Sequence, residues 1–176
     1  IGLGIAAVAS VFLFGDAFRM ERIDAWLNVE THPKGYQTLQ GLYAISSGGI
    51  LGKGLGNSVQ KLGFIPESHN DMIFSVICEE LGLVGAIAIL LLFLLLLWRL
   101  FVIAVNAPDL YGSLIAVGVL THIAVQVIIN VAVVTNTMPS TGIPLPFISY
   151  GGSSLVALLF EMGIALGVSN QIEYRE

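Results

Sequence analysis

The chain has 176 residues, of which 56% are apolar and 11% are charged, and its formal net charge is −5. A soluble globular domain carries about 25% charged residues, so this composition argues against a soluble protein and indicates an integral membrane protein. The negative net charge argues against nucleic acid as a partner. Cys78 is the only cysteine, so the sequence contains no disulfide framework.

Four apolar segments predict an all-α integral membrane protein with about four transmembrane helices, since a span must cross about 30 Å of hydrocarbon. The first, residues 1–15, is interpreted as the end of a spanning helix and not as a signal peptide, because no basic residue precedes it. The second, residues 71–105, is too long for one simple span and is predicted to enter the lipid after Gly82. The third and fourth cover about residues 111–135 and 153–169.

A long polar connection, residues 16–70, joins the first and second spans, and connections of this length are usually functional. Apolar side chains at helical spacing predict a short amphipathic helix over residues 36–45, followed by a glycine-rich stretch over residues 48–56. Five of the seven Lys and Arg residues lie in this connection, but the positive-inside rule weakens for long loops. Charge therefore leaves the side of the membrane open. No linker divides the chain, and residues 1–176 are predicted to form a single membrane domain.

Residues 138–154 are predicted to form a re-entrant or interfacial loop. Residues 110–160 contain no charge, yet Pro139, Pro144 and Pro146 prevent one continuous helix over that length. Irregular backbone at membrane depth persists only when it is buried in protein or lines a wet cavity.

Asp71 belongs to a cluster of titratable side chains directly before the second span. Ser68 and Asp71 match a capping box, in which the carboxylate binds the start of the helix. An ionised carboxylate at a membrane surface can also act as a general base or bind a cation. Glu67 and His69 taken singly are more typical of solvated loop residues, but their clustering with Asp71 indicates one shared pocket. The set is too sparse for a transition-metal site, and a hard cation such as Mg²⁺, held by one or two carboxylates and substrate phosphates, fits better.

The string Gly52-Lys53-Gly54-Leu55-Gly56 is a weak signal. It does not match the Gly-x-Gly-x-x-Gly fingerprint of a dinucleotide site, so a flexible turn is favoured. The alternative is a backbone cradle for an anion, with Lys53 and Lys61 adding positive charge.

Polar side chains also lie inside the predicted spans. His122, Gln126 and Asn130 recur every four residues on the third span, where interhelical hydrogen bonding is favoured over a hydrated groove for a lipid headgroup. Glu161 is an intramembrane acid that needs a partner, which the sequence does not identify.

Two further patterns concern packing. Asp71, Ser75 and Glu79 share one helix face, which indicates that at least one of the acids is buried against protein. Gly163 and Gly167 form a small-xxx-small pair that predicts close helix packing.

Three strings follow one another along the chain. They are GYQTLQ at residues 35–40 with GLGNSVQK at 54–61, PESHNDMIF at 66–74 running into EELG at 79–82, and PSTGIPLPFISYGGSS at 139–154. In this order and spacing they resemble the SEDS family of bacterial membrane proteins (FtsW, RodA and SpoVE), and the NSVQK string leans toward the FtsW and SpoVE branch. The resemblance covers essentially the whole chain but only the C-terminal part of the family's ten-span fold. It implies that residues 16–70 form a long extracellular loop and that residues 138–154 form an extracellular re-entrant loop.

The resemblance implies a peptidoglycan glycosyltransferase that polymerises lipid II into β-1,4 glycan strands during cell-wall synthesis at division. The family's essential loop aspartate falls on Asp71, which would take the proton from the acceptor 4-hydroxyl in a single inverting displacement. A loosely bound Mg²⁺ or Mn²⁺ ion, held by Asp71 and Glu67, would offset the charge of the leaving group. The residues expected to bind substrate are Glu67, His69, Gln60, Lys61, Lys53, Ser149 and Ser153.

The resemblance also implies partners and a location. The expected partners are lipid II, a glycan linked to undecaprenyl pyrophosphate, a class B penicillin-binding protein and divisome membrane proteins. The expected location is the bacterial inner membrane, with the active loop on the extracellular or periplasmic side. A lipid II flippase and a non-catalytic scaffold for a transpeptidase remain as alternatives. Because four spans cannot enclose a long lipid-linked sugar, the chain alone is expected to be inactive.

Overall fold

The computed structural model describes residues 20–60 and 69–172. Within these two ranges the chain is helical and contains no strand, which confirms the all-α prediction. Residues 20–27 form a helical segment, α1, and a 3-10 turn follows at Pro33–Gly35. The longer helices are α2 (Tyr36–Gly48), α3 (Ile73–Asn106), α4 (Leu110–Val134) and α5 (Gly152–Ser169).

Helices α3, α4 and α5 are each long and apolar enough to cross a membrane. The predicted first span, residues 1–15, lies outside the described residues, so three of about four predicted spans are described. A short turn joins α3 to α4, and Asp109 caps α4 because its Oδ1 accepts a hydrogen bond from Gly112 N at 3.0 Å. Ser113 Oγ donates to Ala104 O at 2.7 Å across the same turn.

The three spans share one apolar core, to which Phe93, Leu100, Ile123 and Leu158 contribute buried side chains. Most of the remaining side chains on these helices are apolar and exposed. A continuous exposed apolar surface is typical of a protein that contacts lipid or other membrane helices.

Helix α3 breaks at Gly82, which has φ 66° and ψ −165°. The break divides α3 into residues 73–81 and residues 83–106, and the second part alone is about 36 Å long, enough to span the hydrocarbon. The N–H groups freed by the break are satisfied, because Leu83 N donates to Gly49 O at 2.9 Å and Val84 N donates to Ile50 O at 3.2 Å. The break thus lies at the residue after which the second segment was predicted to enter the lipid, and the entry itself stays a prediction.

Helix α2 and the residues after it lie along the first part of α3, so close at two positions that only glycine fits between the backbones. A Cβ atom added to Gly48 would overlap the carbonyl oxygen of Cys78, and one added to Gly52 would overlap that of Glu80. Gly54 N also donates to Glu80 O at 2.9 Å. The glycine-rich stretch is therefore packed onto α3, and the prediction of a flexible turn is wrong for Gly52 and Gly54.

Candidate active site

The loop between α4 and α5 holds the main chain directly before α3. Tyr150 N donates to His69 O at 2.8 Å. Ser149 Oγ donates to Asn70 O at 2.6 Å. The proline-rich loop, predicted at residues 138–154, is irregular up to the start of α5 and thus forms the support for residues 69–71.

Asn130 ties the same segment to the membrane helices. Its side chain is 1% exposed, and Nδ2 donates to Asp71 O at 2.8 Å and to Ile143 O at 2.9 Å. A buried amide that serves two carbonyl groups fixes both of them, since losing it would leave both unsatisfied. The main chain of Asp71 is therefore positioned by α4.

The carboxylate of Asp71 is partly buried and accepts a hydrogen bond at Oδ1 from Gln37 Nε2 at 3.1 Å. Helix α3 starts at Ile73, with Met72 as its N-cap and no side-chain capping bond. Asp71 therefore precedes the helix, which starts later than the capping-box pattern indicates, and the contact between Asp71 and Ser68 stays a prediction, because Ser68 lies outside the described residues.

Gln37 also lines a cavity of about 380 Å³ between α1, α2 and the α4–α5 loop. Arg22, Trp26, Lys34 and Tyr36 contribute to its wall. The positive side chain of Arg22 and the two aromatic rings suit a ligand that combines a phosphate with sugar rings. Gln37 therefore both lines the cavity and binds the Asp71 carboxylate.

The cavity wall is tied together by polar contacts. Arg22 donates from a guanidinium nitrogen to Ser140 O at 3.1 Å, and Trp26 Nε1 donates to Asn136 O at 2.9 Å. Lys34 Nζ pairs with Glu21 Oε2 at 2.7 Å, and both side chains are about half exposed. The first two bonds join α1 to the loop that also supports residues 69–71.

A second polar cluster surrounds Glu79, whose side chain is 0% exposed. Lys53 Nζ lies 2.6 Å from its Oε1 and Ser58 Oγ lies 2.5 Å from its Oε2. Ser47 Oγ and the backbone N–H groups of Val59 and Gln60 add further donors at 3.3 Å each. The predicted burial of an acid on this face is confirmed for Glu79.

The predicted substrate-binding residues fall into separate places. His69 is exposed and its ring meets Tyr150 edge to face at 6.5 Å, beside Asp71. Ser149 supports the main chain, and Ser153 is exposed in the first turn of α5. Lys61 and Glu67 lie outside the described residues.

Lys53 and Gln60 are brought to Glu79 instead of to Asp71. The charge of Lys53 is already balanced by Glu79, which argues against the predicted role in binding substrate. Gln60 contributes its backbone N–H to the same carboxylate, while its buried Oε1 has no hydrogen-bond partner in the described part of the chain.

Across residues 20–60 and 69–172, no group of three His, Cys, Asp or Glu side chains is arranged to hold a metal ion. The Asp71 carboxylate reaches the cavity through Gln37, and a second carboxylate, Glu21, is paired with Lys34 of the cavity wall. Among the described residues, Asp71 could hold a divalent cation together with substrate phosphates, a mode that Mg²⁺ commonly adopts. The second predicted ligand, Glu67, lies outside the described residues.

The intramembrane acid Glu161 has a partner that the sequence did not identify. Its Oε2 lies 2.8 Å from His122 Nδ1, and His122 Nε2 lies 2.9 Å from Gln126 Nε2. The predicted interhelical hydrogen bonding of the α4 polar line is therefore confirmed for His122, whereas Gln126 bonds within α4 and Asn130 bonds the main chain outside the helices. Gly163 and Gly167 make no close contact with the described residues, so close packing at this pair stays a prediction.

Sequence reasoning missed Gln37 as the partner of the Asp71 carboxylate. Gln37 lies within the GYQTLQ string and on the predicted amphipathic helix. These two patterns single out Gln37, but neither indicates which distant residue the side chain contacts.

The fold and this site define an all-helical, multi-pass membrane protein in which a loop carboxylate is anchored to membrane helices beside a cationic cavity. A family model described as a cell cycle protein and named for FtsW, RodA and SpoVE matches residues 1–174. The chain belongs to this FtsW/RodA/SpoVE family.

The chain is 51% identical over 159 residues to stage V sporulation protein E of Bacillus subtilis, covering 89% of this chain and 43% of that protein. It is 44% identical over 173 residues to the probable peptidoglycan glycosyltransferase FtsW of Trichlorobacter lovleyi, covering 96% and 45%. The chain therefore spans less than half the length of these curated relatives.

Two solved structures share the fold. One is described as a peptidoglycan synthase complex that coordinates polymerization and crosslinking, with a TM-score of 0.70 and 32% identity over 98% of this chain and 49% of the other. The other is the rod shape determining protein RodA of Thermus thermophilus, with a TM-score of 0.57 and 29% identity over 88% and 55%.

Proposed function

We propose that the full-length protein to which this chain belongs is a peptidoglycan glycosyltransferase that polymerises lipid II, with Asp71 as the general base. The observation that carries the proposal is the Asp71 carboxylate, held by Gln37 at 3.1 Å beside the cavity that Gln37 also lines. The names of the FtsW relatives support the reaction class, because they describe peptidoglycan glycosyltransferases.

In the proposed reaction, Asp71 takes the proton of the acceptor sugar's 4-hydroxyl. The oxygen forms a bond to the anomeric carbon of the donor, and the bond from that carbon to the pyrophosphate oxygen breaks. Undecaprenyl pyrophosphate leaves with the bonding electrons, and the proton stays on the Asp71 carboxyl until solvent removes it. One displacement inverts the α-linked donor to a β-1,4 link. General base catalysis contributes about 10²–10⁴-fold to a rate of this kind.

The cavity supports the assignment of the reactants. Arg22 supplies positive charge for a phosphate, and Trp26 and Tyr36 supply flat apolar surfaces for sugar rings. The charge of Lys34 is balanced by Glu21. Gln37 would orient the carboxylate toward a hydroxyl held in that cavity. A divalent cation held by Asp71 and substrate phosphates would offset negative charge there.

The proposal extends to a partner, which the comparison with the synthase complex supports, and to a location. The solved synthase complex is described as joining polymerization with crosslinking, so the proposed partner is a class B penicillin-binding protein that supplies the crosslinking activity. The protein would lie in the bacterial inner membrane, with residues 16–70 on the extracellular side.

The test uses the purified full-length protein with lipid II and Mg²⁺ or Mn²⁺. Asp71→Asn keeps the shape of the side chain and its bond with Gln37 through the amide oxygen, but it removes the base, so we expect polymerisation to fall by about 10²-fold or more. Asp109→Asn is the matched control, because it makes the same chemical change at the α4 cap and Asn caps helices equally well. It is expected to keep the full rate.

If the Asp71→Asn variant polymerises lipid II at the wild-type rate, Asp71 is not the general base. A lipid II translocation assay in proteoliposomes separates the flippase alternative, which predicts transport by both variants and polymerisation by neither. If the protein is a non-catalytic scaffold, the wild-type protein is expected to show neither polymerisation nor translocation of lipid II.

A further inference from the structure

Phe147, in the loop between α4 and α5, has a backbone conformation that its side chain disfavours. Its φ is 62°, in the left-handed region. Among the described residues, Asn136 is the other non-glycine residue with a positive φ, at 55°, and Asn tolerates this region because its short polar side chain can form local hydrogen bonds. A bulky apolar residue lacks that compensation and is a rare exception there. The conformation of Phe147 therefore needs an explanation from its surroundings.

Phe147 lies inside a closed turn. Ile148 N and Ser149 N donate to Leu145 O at 3.4 Å and 3.1 Å, and Leu145 N donates to Ser149 Oγ at 2.7 Å. Pro146 occupies the second position of this turn and Phe147 the third. Proline at the second position and a positive φ at the third are typical of a type II turn, whose third residue is usually glycine. Phe147 thus stands where glycine is the ordinary choice.

The ring of Phe147 provides contacts that glycine would lack. It is partly buried against the apolar core of the three spans and, together with Leu92, Phe93 and Leu96 of α3, it lines a groove of about 200 Å³. Burial of an aromatic ring contributes favourable free energy that can offset the strain of a left-handed residue. Contact with α3 therefore holds residue 147 in the conformation that closes the turn.

The closed turn carries the two contacts that hold the chain before α3. The Ser149 hydroxyl donates to Asn70 O at 2.6 Å, and Tyr150 N donates to His69 O at 2.8 Å. If the turn opened, both donors would move away from these carbonyl groups. Because Asp71 follows directly, its main chain would lose its support on the side of the loop.

We infer that Phe147 is a positioning residue for the proposed base Asp71. Its ring, packed against α3, keeps the turn at residues 145–149 closed, and the turn holds the main chain of residues 69 and 70. The inference rests on the proposed function of Asp71. It assigns to one strained residue the link between the apolar core of the spans and the segment that carries the carboxylate.

The test compares three variants of the purified full-length protein. Phe147→Ala removes the ring but keeps a side chain that disfavours a positive φ, so we expect the turn to open. Phe147→Gly also removes the ring, but glycine adopts a φ of 62° without strain, so the hydrogen bonds of the turn can keep it closed. Phe93→Ala is the matched control, because it removes a ring from the same groove on the side of α3.

The first readout is hydrogen–deuterium exchange of the Ser149 and Tyr150 amides, which donate to Leu145 O and His69 O. Exchange is expected to be several-fold faster in Phe147→Ala than in the wild-type protein and to return toward the wild-type rate in Phe147→Gly. Phe93→Ala is expected to lower the unfolding temperature and to leave this exchange nearly unchanged.

A ring that only filled space would give a different pattern. Phe147→Gly would then be at least as disruptive as Phe147→Ala, since glycine fills less volume and is more flexible. Equal or faster exchange in Phe147→Gly, or wild-type exchange in Phe147→Ala, would therefore overturn the inference.

The second readout is the polymerisation of lipid II. Phe147→Ala is expected to lower kcat by about tenfold or more with little change in KM, because a misplacement of about 1 Å can cost about 10²-fold in rate. Phe147→Gly is expected to recover part of kcat, and Phe93→Ala is expected to keep it. Faster exchange in Phe147→Ala without a fall in kcat would overturn the positioning role.

A second pair of variants applies if Phe147→Ala does not accumulate. Phe147→Leu and Phe147→Val both keep an apolar side chain, but the β-branched valine tolerates a positive φ less well. Exchange of the same two amides is expected to be faster in Phe147→Val, and equal or slower exchange would overturn the inference. Exchange does not depend on glycosyltransferase activity. If Asp71→Asn kept the wild-type rate, the proposed function would fail, and exchange would still decide whether Phe147 holds the turn.

Discussion

Gln37 Nε2 donates to Asp71 Oδ1 at 3.1 Å, although α2 and the residue before α3 are joined by a long connection. The contact forms because α2 lies parallel to the first turns of α3. At the other end of α2, Ser47 Oγ donates to Glu79 Oε1 at 3.3 Å. Two ties at opposite ends of α2 prevent the helix from sliding, so the position of the Gln37 amide relative to the Asp71 carboxylate is set.

The first prediction concerns this amide. Gln37→Ala removes a hydrogen bond to a charged group, a loss of about 1.5–3 kcal/mol, which corresponds to about a tenfold to hundredfold fall in kcat/KM. The measurement is the polymerisation rate of the full-length protein with lipid II. Gln40→Ala on the same helix is the control, because Gln40 makes no hydrogen bond to Asp71 in the described structure, and it is expected to change the rate little. Equal losses in the two variants would contradict a specific role for Gln37.

The second prediction compares two lysine ion pairs. Lys53→Met leaves the fully buried carboxylate of Glu79 without its cation, and breaking a buried pair in this way costs about 3–5 kcal/mol of folding free energy. Lys34→Met breaks a pair with Glu21 in which both side chains are about half exposed, and this costs about 0–1 kcal/mol.

Thermal unfolding of the two purified variants checks the difference. The unfolding temperature of Lys53→Met is expected to fall well below that of Lys34→Met. A similar unfolding temperature for both would show that water reaches Glu79.

The third prediction concerns the break in α3. Gly82→Ala forces a side chain into a left-handed backbone conformation with φ 66° and against the backbone of Ile50 and Gly52. Strain costs about 1–3 kcal/mol and overpacking adds about 1–3 kcal/mol. Gly56→Ala meets the same kind of conformation, with φ 82°, but no atom lies within 4 Å of the added Cβ. Gly56→Ala is therefore expected to lower the free energy of unfolding only by the backbone strain. The free energy of unfolding of both variants is measured by chemical denaturation. Equal losses in Gly82→Ala and Gly56→Ala would mean that the close contact with Ile50 and Gly52 adds nothing to the cost.

The fourth prediction concerns Asn130. Asn130→Leu leaves the carbonyls of Asp71 and Ile143 without their donor, and each buried unsatisfied group costs about 1–3 kcal/mol. We expect lower stability together with a fall in kcat that exceeds any change in KM, because the main chain of the proposed base moves. Asn106→Leu is the control, since Asn106 Nδ2 donates to Val102 O at an exposed position. A normal kcat in a folded Asn130→Leu protein would separate Asn130 from Asp71.

The helices were largely predictable because hydropathy and spacing are local properties. The third and fourth spans match α4 and α5 closely, the amphipathic pattern predicted α2, and Gly82 was identified as the point where α3 changes. The start of α3 was misjudged, since the capping-box pattern at Ser68 and Asp71 places the helix earlier than Ile73. Contacts between the loop and α3 determine that start, and a local pattern does not report them.

The pairs that define the site could not be predicted in the same way. Gln37 with Asp71, Lys53 with Glu79, and His122 with Glu161 each join residues more than twenty positions apart. The sequence marked Glu79 and Glu161 as acids that need partners, because burial or membrane depth makes an isolated charge costly. Which residue supplies the partner depends on how neighbouring helices align, and spacing along one helix does not contain that information.

The break at Gly82 is clamped and cannot act as a hinge. Because the N–H groups of Leu83 and Val84 are bonded to the carbonyls of Gly49 and Ile50, a tilt of residues 83–106 carries the glycine-rich stretch with it. Bilayer thickness alters the tilt of spanning helices. A thinner or thicker membrane would therefore tilt residues 83–106, the glycine-rich stretch and α2 as one unit. Because α2 is tied to Asp71 and Glu79, the contact between Gln37 and Asp71 would be preserved in membranes of different thickness.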